Sequence, residues 1–457
     1  MKTWLRRAGV ARGTVARILA VASVLAFAMT SPAATAAVSQ PGPATFSLQA
    51  RVGFHSGDDW EPSMTSDRFG HTYVLYKHYD VAGGGTCYRC DIHLLIQRSS
   101  DGGQTWTAPR AVAPIPTNGG QFDPQIVVDP IDGRTVWVSF LQVDNSRIAV
   151  SHSTDFGETW SHAAIVSGPT LGFDKDTLVV RGQTVAVAYD DGFNTFASVT
   201  TDGGRHQSMQ SVTAGSDAFN VPLSAGGGID SHGRIFFTFE SWDTAHSVNG
   251  DGPVTMWVVR STDNPHWTRK VIDVSGAPFP CTDCRFAFLS AQMTMRIGAD
   301  DTIYLLWNGT VGSTDFAPER IFFARSTDHG VTYSARRQVS TAPSGTEHSF
   351  PALAVGAAGG DVRLAWMDTR TGAWQVYYRN SLDGGTHLSA TVRISGFVPG
   401  YVYLGHDGFV LPYGDYMQLS VDHNGRTQAA FGEGPRYAAR ATSGYPRARL
   451  IVRELAS

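Results

Sequence analysis

Charge is scarce in this sequence. Only 17% of its 457 residues are Asp, Glu, Lys or Arg, and 36 basic side chains face 40 acidic ones, for a formal net charge of −4. Without a basic surplus a chain cannot neutralise a phosphate backbone or an anionic lipid surface, so nucleic acid and membrane surfaces are not expected partners. Long apolar runs are lacking too. After residue 37 nothing approaches the roughly 18 unbroken apolar residues of a membrane span. Disorder is excluded from the other side, because 42% hydrophobic content is too much for a chain that cannot bury a core. Cysteine is rare, four in all.

The N-terminus reads as a cleaved secretory signal peptide over residues 1–37. Lys2, Arg6, Arg7, Arg12 and Arg17 form a basic stretch, Ile18 to Met29 an apolar run, and Ala34-Thr35-Ala36 a small-residue cleavage site. Residues 38–457 are then expected to form one exported, extracellular domain. That compartment changes how the cysteines read. Cys87-Tyr-Arg-Cys90 and Cys281-Thr-Asp-Cys284 would suggest zinc in a reducing cell, whereas outside it two local disulfides are expected, with pairing between the two motifs or a metal or redox role left open.

One short pattern recurs six times. It appears as Ser99-Ser100-Asp101-Gly102-Gly103-Gln104-Thr105-Trp106, as Ser153-Thr154-Asp155-Phe156-Gly157-Glu158-Thr159-Trp160 and as Thr200-Thr201-Asp202-Gly203-Gly204. It returns at Ser261-Thr262-Asp263, Ser326-Thr327-Asp328-His329-Gly330 and Ser381-Leu382-Asp383-Gly384-Gly385. Each copy predicts a hairpin turn: Asp bonds back to local amides, Gly takes positive φ, and a following aromatic returns to the core. These aspartates are therefore expected to be structural. The pattern resembles the Asp box, or BNR repeat, of sialidases and related β-propeller proteins, and the resemblance covers most of the chain after residue 37. It implies architecture more strongly than activity.

Before each copy lies a strand led by a small residue, an acid or Pro, as at Glu61-Pro62-Ser63, Asp123-Pro124-Gln125, Asp174-Lys175-Asp176 and Ser349-Phe350-Pro351, and a seventh such strand begins at Tyr413-Gly414-Asp415-Tyr416. An aromatic or β-branched strand follows each one, with a period of about 60 residues. The expectation is an all-β propeller of four-stranded antiparallel blades, seven favoured over six. Residues 45–52 are expected to close the last blade as its fourth strand, which would remove two exposed edges.

If all inner strands run in one sense, their starts and the turns between second and third strands share the face opposite the repeated motifs. A site is expected there, on loops over a rigid scaffold. Asp59, Trp60, Glu61, Asp123, Asp174 and His348 fall on that face, as do His78, Arg370 and Tyr413, Asp415 and Tyr416. Crowded carboxylates raise one another's pKa, which suits acid–base chemistry or cation binding. The plainer alternative is that each Asp caps its own turn.

The sialidase resemblance implies a carboxylate clamp of three arginines, an aspartate acid–base and a tyrosine nucleophile paired with a glutamate. The match is partial, since Glu61-Pro62-Ser63 stands where an Arg-Ile-Pro signature is expected. Candidate catalytic residues are Asp415, Tyr416, Tyr413 and Glu61, and candidate substrate contacts are Arg370, Asp59, Trp60, Asp123, Asp174, His78 and His348. An ion pair of Arg370 with Asp368 that merely holds a turn competes with the clamp reading. Three functions follow as expectations: a secreted sialidase-like exo-glycosidase acting on extracellular glycans, a propeller polysaccharide lyase, or a non-catalytic glycan- or protein-binding propeller. No cofactor is expected to be required, bound calcium is left open, and a monomer is expected.

Overall fold

The computed structural model describes residues 44–50, 52–53, 58–79, 92–114, 119–142, 147–168, 174–191, 194–212, 222–242, 253–262, 266–277, 292–372, 375–395, 417–432 and 450–453. Alternating β-branched and aromatic residues build antiparallel sheets throughout. The first blade pairs Asp58–Ser66, Thr72–Tyr79, Ile92–Ser99 and Arg110–Ala111 in chain order. Five more four-stranded blades repeat that order, with first strands Gln121–Val128, Asp174–Arg181, Pro222–Ile229, Met293–Ile297 and His348–Val355. Among the described residues, the molecule is an all-β propeller of six four-stranded blades.

The favoured expectation of seven four-stranded blades is thereby corrected, and the six-bladed alternative fits. The unit expected as a seventh blade is a three-stranded sheet of Gln418–Val421, Thr427–Phe431 and Leu450–Arg453. Among the described residues, the segment expected to complete it has only single-residue bridges at Phe46 and Ala50. The reason is burial. Phe46 finds a partner in Tyr378, edge-on at 4.9 Å, but Leu48 on the same face of the alternation is 94% exposed, so no apolar row forms to hold a strand.

First strands of successive sheets pack against one another, and Gln418–Val421 lies between His348–Val355 and Asp58–Ser66. Ser66 Oγ meets Ser420 Oγ at 2.7 Å, and Gln418 Oε1 accepts from the Met64 amide at 3.2 Å. The cores lie between sheets rather than within them. One joins Tyr73, Leu75, Leu94 and Ile96 of the first blade to Ile126, Val138 and Phe140 of the second. Among the described residues no helix is long and apolar enough to cross a membrane.

The repeated motif makes the expected turn wherever it is described. In the second copy, Ser153 Oγ donates to Asp155 Oδ1 at 2.7 Å, the Gly157 amide donates to Ser153 Oγ at 2.8 Å, and Thr159 Oγ1 donates to Asp155 Oδ2 at 2.5 Å. The Thr159 hydroxyl and amide, with Ser153, hold the Asp155 carboxyl down at about 2. Trp160 then packs against the core between the first two blades. Asp263 of the fourth copy lies outside the described residues.

Candidate functional site

Three neighbouring blades begin their first strands with the same local device. Pairing with the second strand shifts register between Trp60 and Ser63, between Phe122 and Gln125, and opposite Ala188 and Asp190, where Asp174-Lys175-Asp176 runs. In the first two, Pro62 and Pro124 have no amide for the ladder, so the strand bulges. The residue at each bulge turns left-handed: Glu61 at φ 53°, Asp123 at φ 48° and Lys175 at φ 46°. Such backbone costs a non-glycine residue roughly 1–3 kcal/mol and clusters at functional sites.

The re-aimed side chains meet. Lys77 Nζ, from the second strand opposite Trp60, lies 2.7 Å from Glu61 Oε2, and Lys175 Nζ lies 3.5 Å from Asp123 Oδ2. Lys77 also stands over the rings of Trp60 and Phe122 at 5.6 and 5.3 Å. Behind them His78 Nδ1 and Asp59 Oδ1 are 2.6 Å apart, both buried. Ser139 Oγ donates to Asp176 Oδ2.

The electrostatics separate these carboxyls. Burial alone would raise Asp123, but Lys175, Lys77 and hydrogen bonds from the Asp174 and Glu61 carboxyls hold it at about 2. Burial pushes Asp174 up to about 7, Lys175 pulling it down and the Asp123 charge pushing it further up. Glu61 is raised by burial, with Lys77 offsetting part of the effect, and burial raises Asp176 well above its ordinary range. Asp174 and Lys175 are only half-buried, whereas Glu61, Asp123 and Lys77 are buried. The group thus holds an acid kept ionised, a second at its solvent edge whose pKa is raised towards neutrality, and a cation beside both.

Glu61, Asp123 and Asp174 are therefore brought together. Other candidates stand elsewhere or face inward. Trp60 is 5% exposed and packs on Ile92, which corrects its assignment as a substrate contact. His78 at 2% and His348 at 0% exposure cannot touch substrate, and burial lowers His348 to about 4, so it stays neutral. Asp59 is committed to His78. Arg370 is corrected too: its Nε and Nη2 donate to Asp368 at 2.9 and 2.6 Å, and its guanidinium lies 3.9 Å from the Tyr377 ring centre, so it holds its own turn. Tyr413, Asp415, Tyr416 and all four cysteines lie outside the described residues.

Three residues were not singled out from sequence. Lys175 is flagged only by its place between two acids. Glu240 and Glu319 are ionisable residues at buried strand positions, a signal visible as acids within the strands Ile235–Trp242 and Glu319–Ser326. Burial raises Glu240 to about 8, although the Met293 amide donates to it. Its pKa is higher folded than unfolded, so the unfolded chain releases the proton first, and stability falls as pH rises from about 4 towards 8. Glu240→Gln is expected to leave the melting temperature near its wild-type value at pH 5 and to raise it at pH 8.5. Melts of both proteins across that range check this, and parallel curves would refute it.

No protein-family model matches the chain. No curated protein matches it either. Solved structures do. A Hadza microbial sialidase aligns at 14% identity over 83% of this chain and 64% of its own, with a TM-score of 0.47, so the chain spans less than two thirds of that protein. An ulvan lyase aligns at 11% identity over 88% of this chain and 95% of its own, TM-score 0.48. An intramolecular trans-sialidase from Ruminococcus gnavus aligns at 12% identity over 88% and 97%, TM-score 0.44.

Proposed function

We propose that this protein is an exported glycoside hydrolase of sialidase-like fold that cleaves extracellular glycans at the mouth formed by the first three blades. The observation that carries the reading is the separation of Asp174, near 7, from Asp123, near 2, within one hydrogen-bonded group. Paired carboxyls with divergent pKa values are how acid and base roles are assigned at neutral pH. Asp174, at the solvent edge, gives its proton to the glycosidic oxygen as the bond to the anomeric carbon breaks and its electron pair leaves with that oxygen. Asp123, ionised and buried beside Asp174, steadies the positive charge on the ring carbon through space, and the water that attacks that carbon returns a proton to the Asp174 carboxylate. Lys175 keeps Asp123 ionised and offers a cation to an acidic sugar, a role that Arg370 cannot take while locked to Asp368. Export, a monomeric state, and independence from calcium or any other cofactor belong to the same proposal.

The lyase reading is weaker because His78 and His348 are both buried. The test is to incubate residues 38–457 with an aryl sialoside, neutral polysaccharides and uronate polysaccharides. New reducing ends or released fluorophore, without the ultraviolet absorbance of an unsaturated sugar, are expected. An absorbing product would establish a lyase, and retention of glycans on an array without turnover would establish a binder; either overturns the proposal.

A further inference from the structure

A different group of ligating side chains lies on the opposite face of the ring, where the repeated motifs emerge. Asp230, His232 and His329 each present one donor atom, and these atoms lie within 4.8 Å of one another. We propose that they bind a borderline divalent cation, Zn²⁺ foremost, clamping the fourth blade to the fifth. Two imidazoles and a carboxylate are a donor set suited to zinc and its neighbours rather than to calcium.

Asp230 follows the first strand of the fourth blade and its side chain is fully buried. Its Oδ1 accepts from the amides of His232 and Arg234 at 3.0 and 2.9 Å, which fixes the carboxylate. His329 comes from the motif turn of the fifth blade. Its Nδ1 is buried, makes no hydrogen bond, and stands 3.5 Å from Asp230 Oδ2. The two imidazole rings meet at 4.9 Å, inclined by 74°.

The backbone aims two side chains at this cluster. His329 sits at φ 58°, at the motif position held by Gly102, Gly203 and Gly384 at φ 70°, 74° and 69° and by Phe156 at φ 63°. Asp301 sits at φ 60°, at the turn position held by Gly233 and Gly425 at φ 79° and 76°. Asp301 Oδ2 lies 3.5 Å from His232 Nδ1, so it can orient that ring and add negative charge beside the cation.

Two adjustments complete the site. Zinc holds its N and O donors at about 2.0–2.2 Å, so the three atoms must close to about 4 Å or less. His232 is 60% exposed and has room to turn inward. Arg234 Nε donates to Asp230 Oδ2 at 2.6 Å, and being 29% exposed it can share that oxygen or swing outward.

The test uses untagged, chelator-treated protein titrated with Co²⁺, followed by visible d–d absorption, and with Zn²⁺ by calorimetry. One equivalent is expected to bind with micromolar or tighter affinity and to raise the melting temperature. His329→Gly suits the left-handed backbone, so it should fold with unchanged circular dichroism yet bind at least about tenfold more weakly. His232→Ala should do the same, and His206→Ala, at a histidine remote from the cluster, should bind as wild type. Absence of binding by wild type at millimolar metal, or unchanged affinity in both cluster variants, overturns the proposal. Neither result bears on glycan cleavage, which is assayed separately.

Discussion

Asp174→Asn is expected to lower kcat by about 10²–10⁴-fold on whichever glycan the wild-type enzyme cleaves, the range for loss of a general acid. The amide has nearly the same shape and can still hydrogen-bond to Asp123, but it has no proton to transfer. The pH profile supplies the second half of the test. Because Asp174 holds its proton to about 7, wild-type kcat should fall as pH rises through neutrality, and the residual activity of the variant should lack that limb. Substrates with a good leaving group, such as aryl glycosides, need less protonation and should lose much less rate than natural linkages. Equal losses on both, or a retained limb, would show that Asp174 is not the donor.

Trp366→Ala is expected to cost about 3–5 kcal/mol of stability, the range for truncating a buried aromatic. Trp366 is fully buried, in a core that joins Tyr304, Leu306 and Phe323 of the fifth blade to Leu353, Leu364 and Tyr377 of the sixth. Its Nε1 also donates to Asp368 Oδ2 at 2.8 Å. Trp366→Phe keeps most of the packing and loses that donor, so about 1–2 kcal/mol is expected, since Arg370 still satisfies the carboxylate. Denaturant midpoints at unchanged m-value measure both. A loss below about 1 kcal/mol for the alanine variant would mean that the neighbouring blades collapse into the space.

What the sequence made legible was whatever is encoded locally. Ser153, Asp155, Gly157 and Thr159 lie within one short segment and satisfy one another there, so the turn could be read without knowing its surroundings. Glu61, Asp123 and Asp174 were legible as one group because each leads an equivalent strand. Their chemistry was not, because it depends on bulges at Pro62 and Pro124 and on Lys175 reaching Asp123 from the next blade. Arg370 was legible both ways, as a substrate clamp and as the partner of Asp368 two residues away, and the ion pair is the arrangement that forms. His78, His348 and Trp60 misled for one reason: beside a strand start, side chains alternate between the channel and the space between blades, and sequence does not say which is which. The fourth strand expected for the last sheet from residues 45–52 rested on the need to cover open edges, whereas of Phe46 and Leu48 only Phe46 is covered.

The joint between the first blade and the last sheet has a bearing on biogenesis. Ser63 and Gln418, hydrogen-bonded at 3.2 Å, are separated by 355 positions along the chain. During synthesis the first blade waits for nearly the whole polypeptide before its open flank is covered, and such distant pairing makes for slow folding with sticky intermediates. If the chain is exported as proposed, a latch of this kind serves it well, since the circle cannot shut until the C-terminal strands have crossed to the other side.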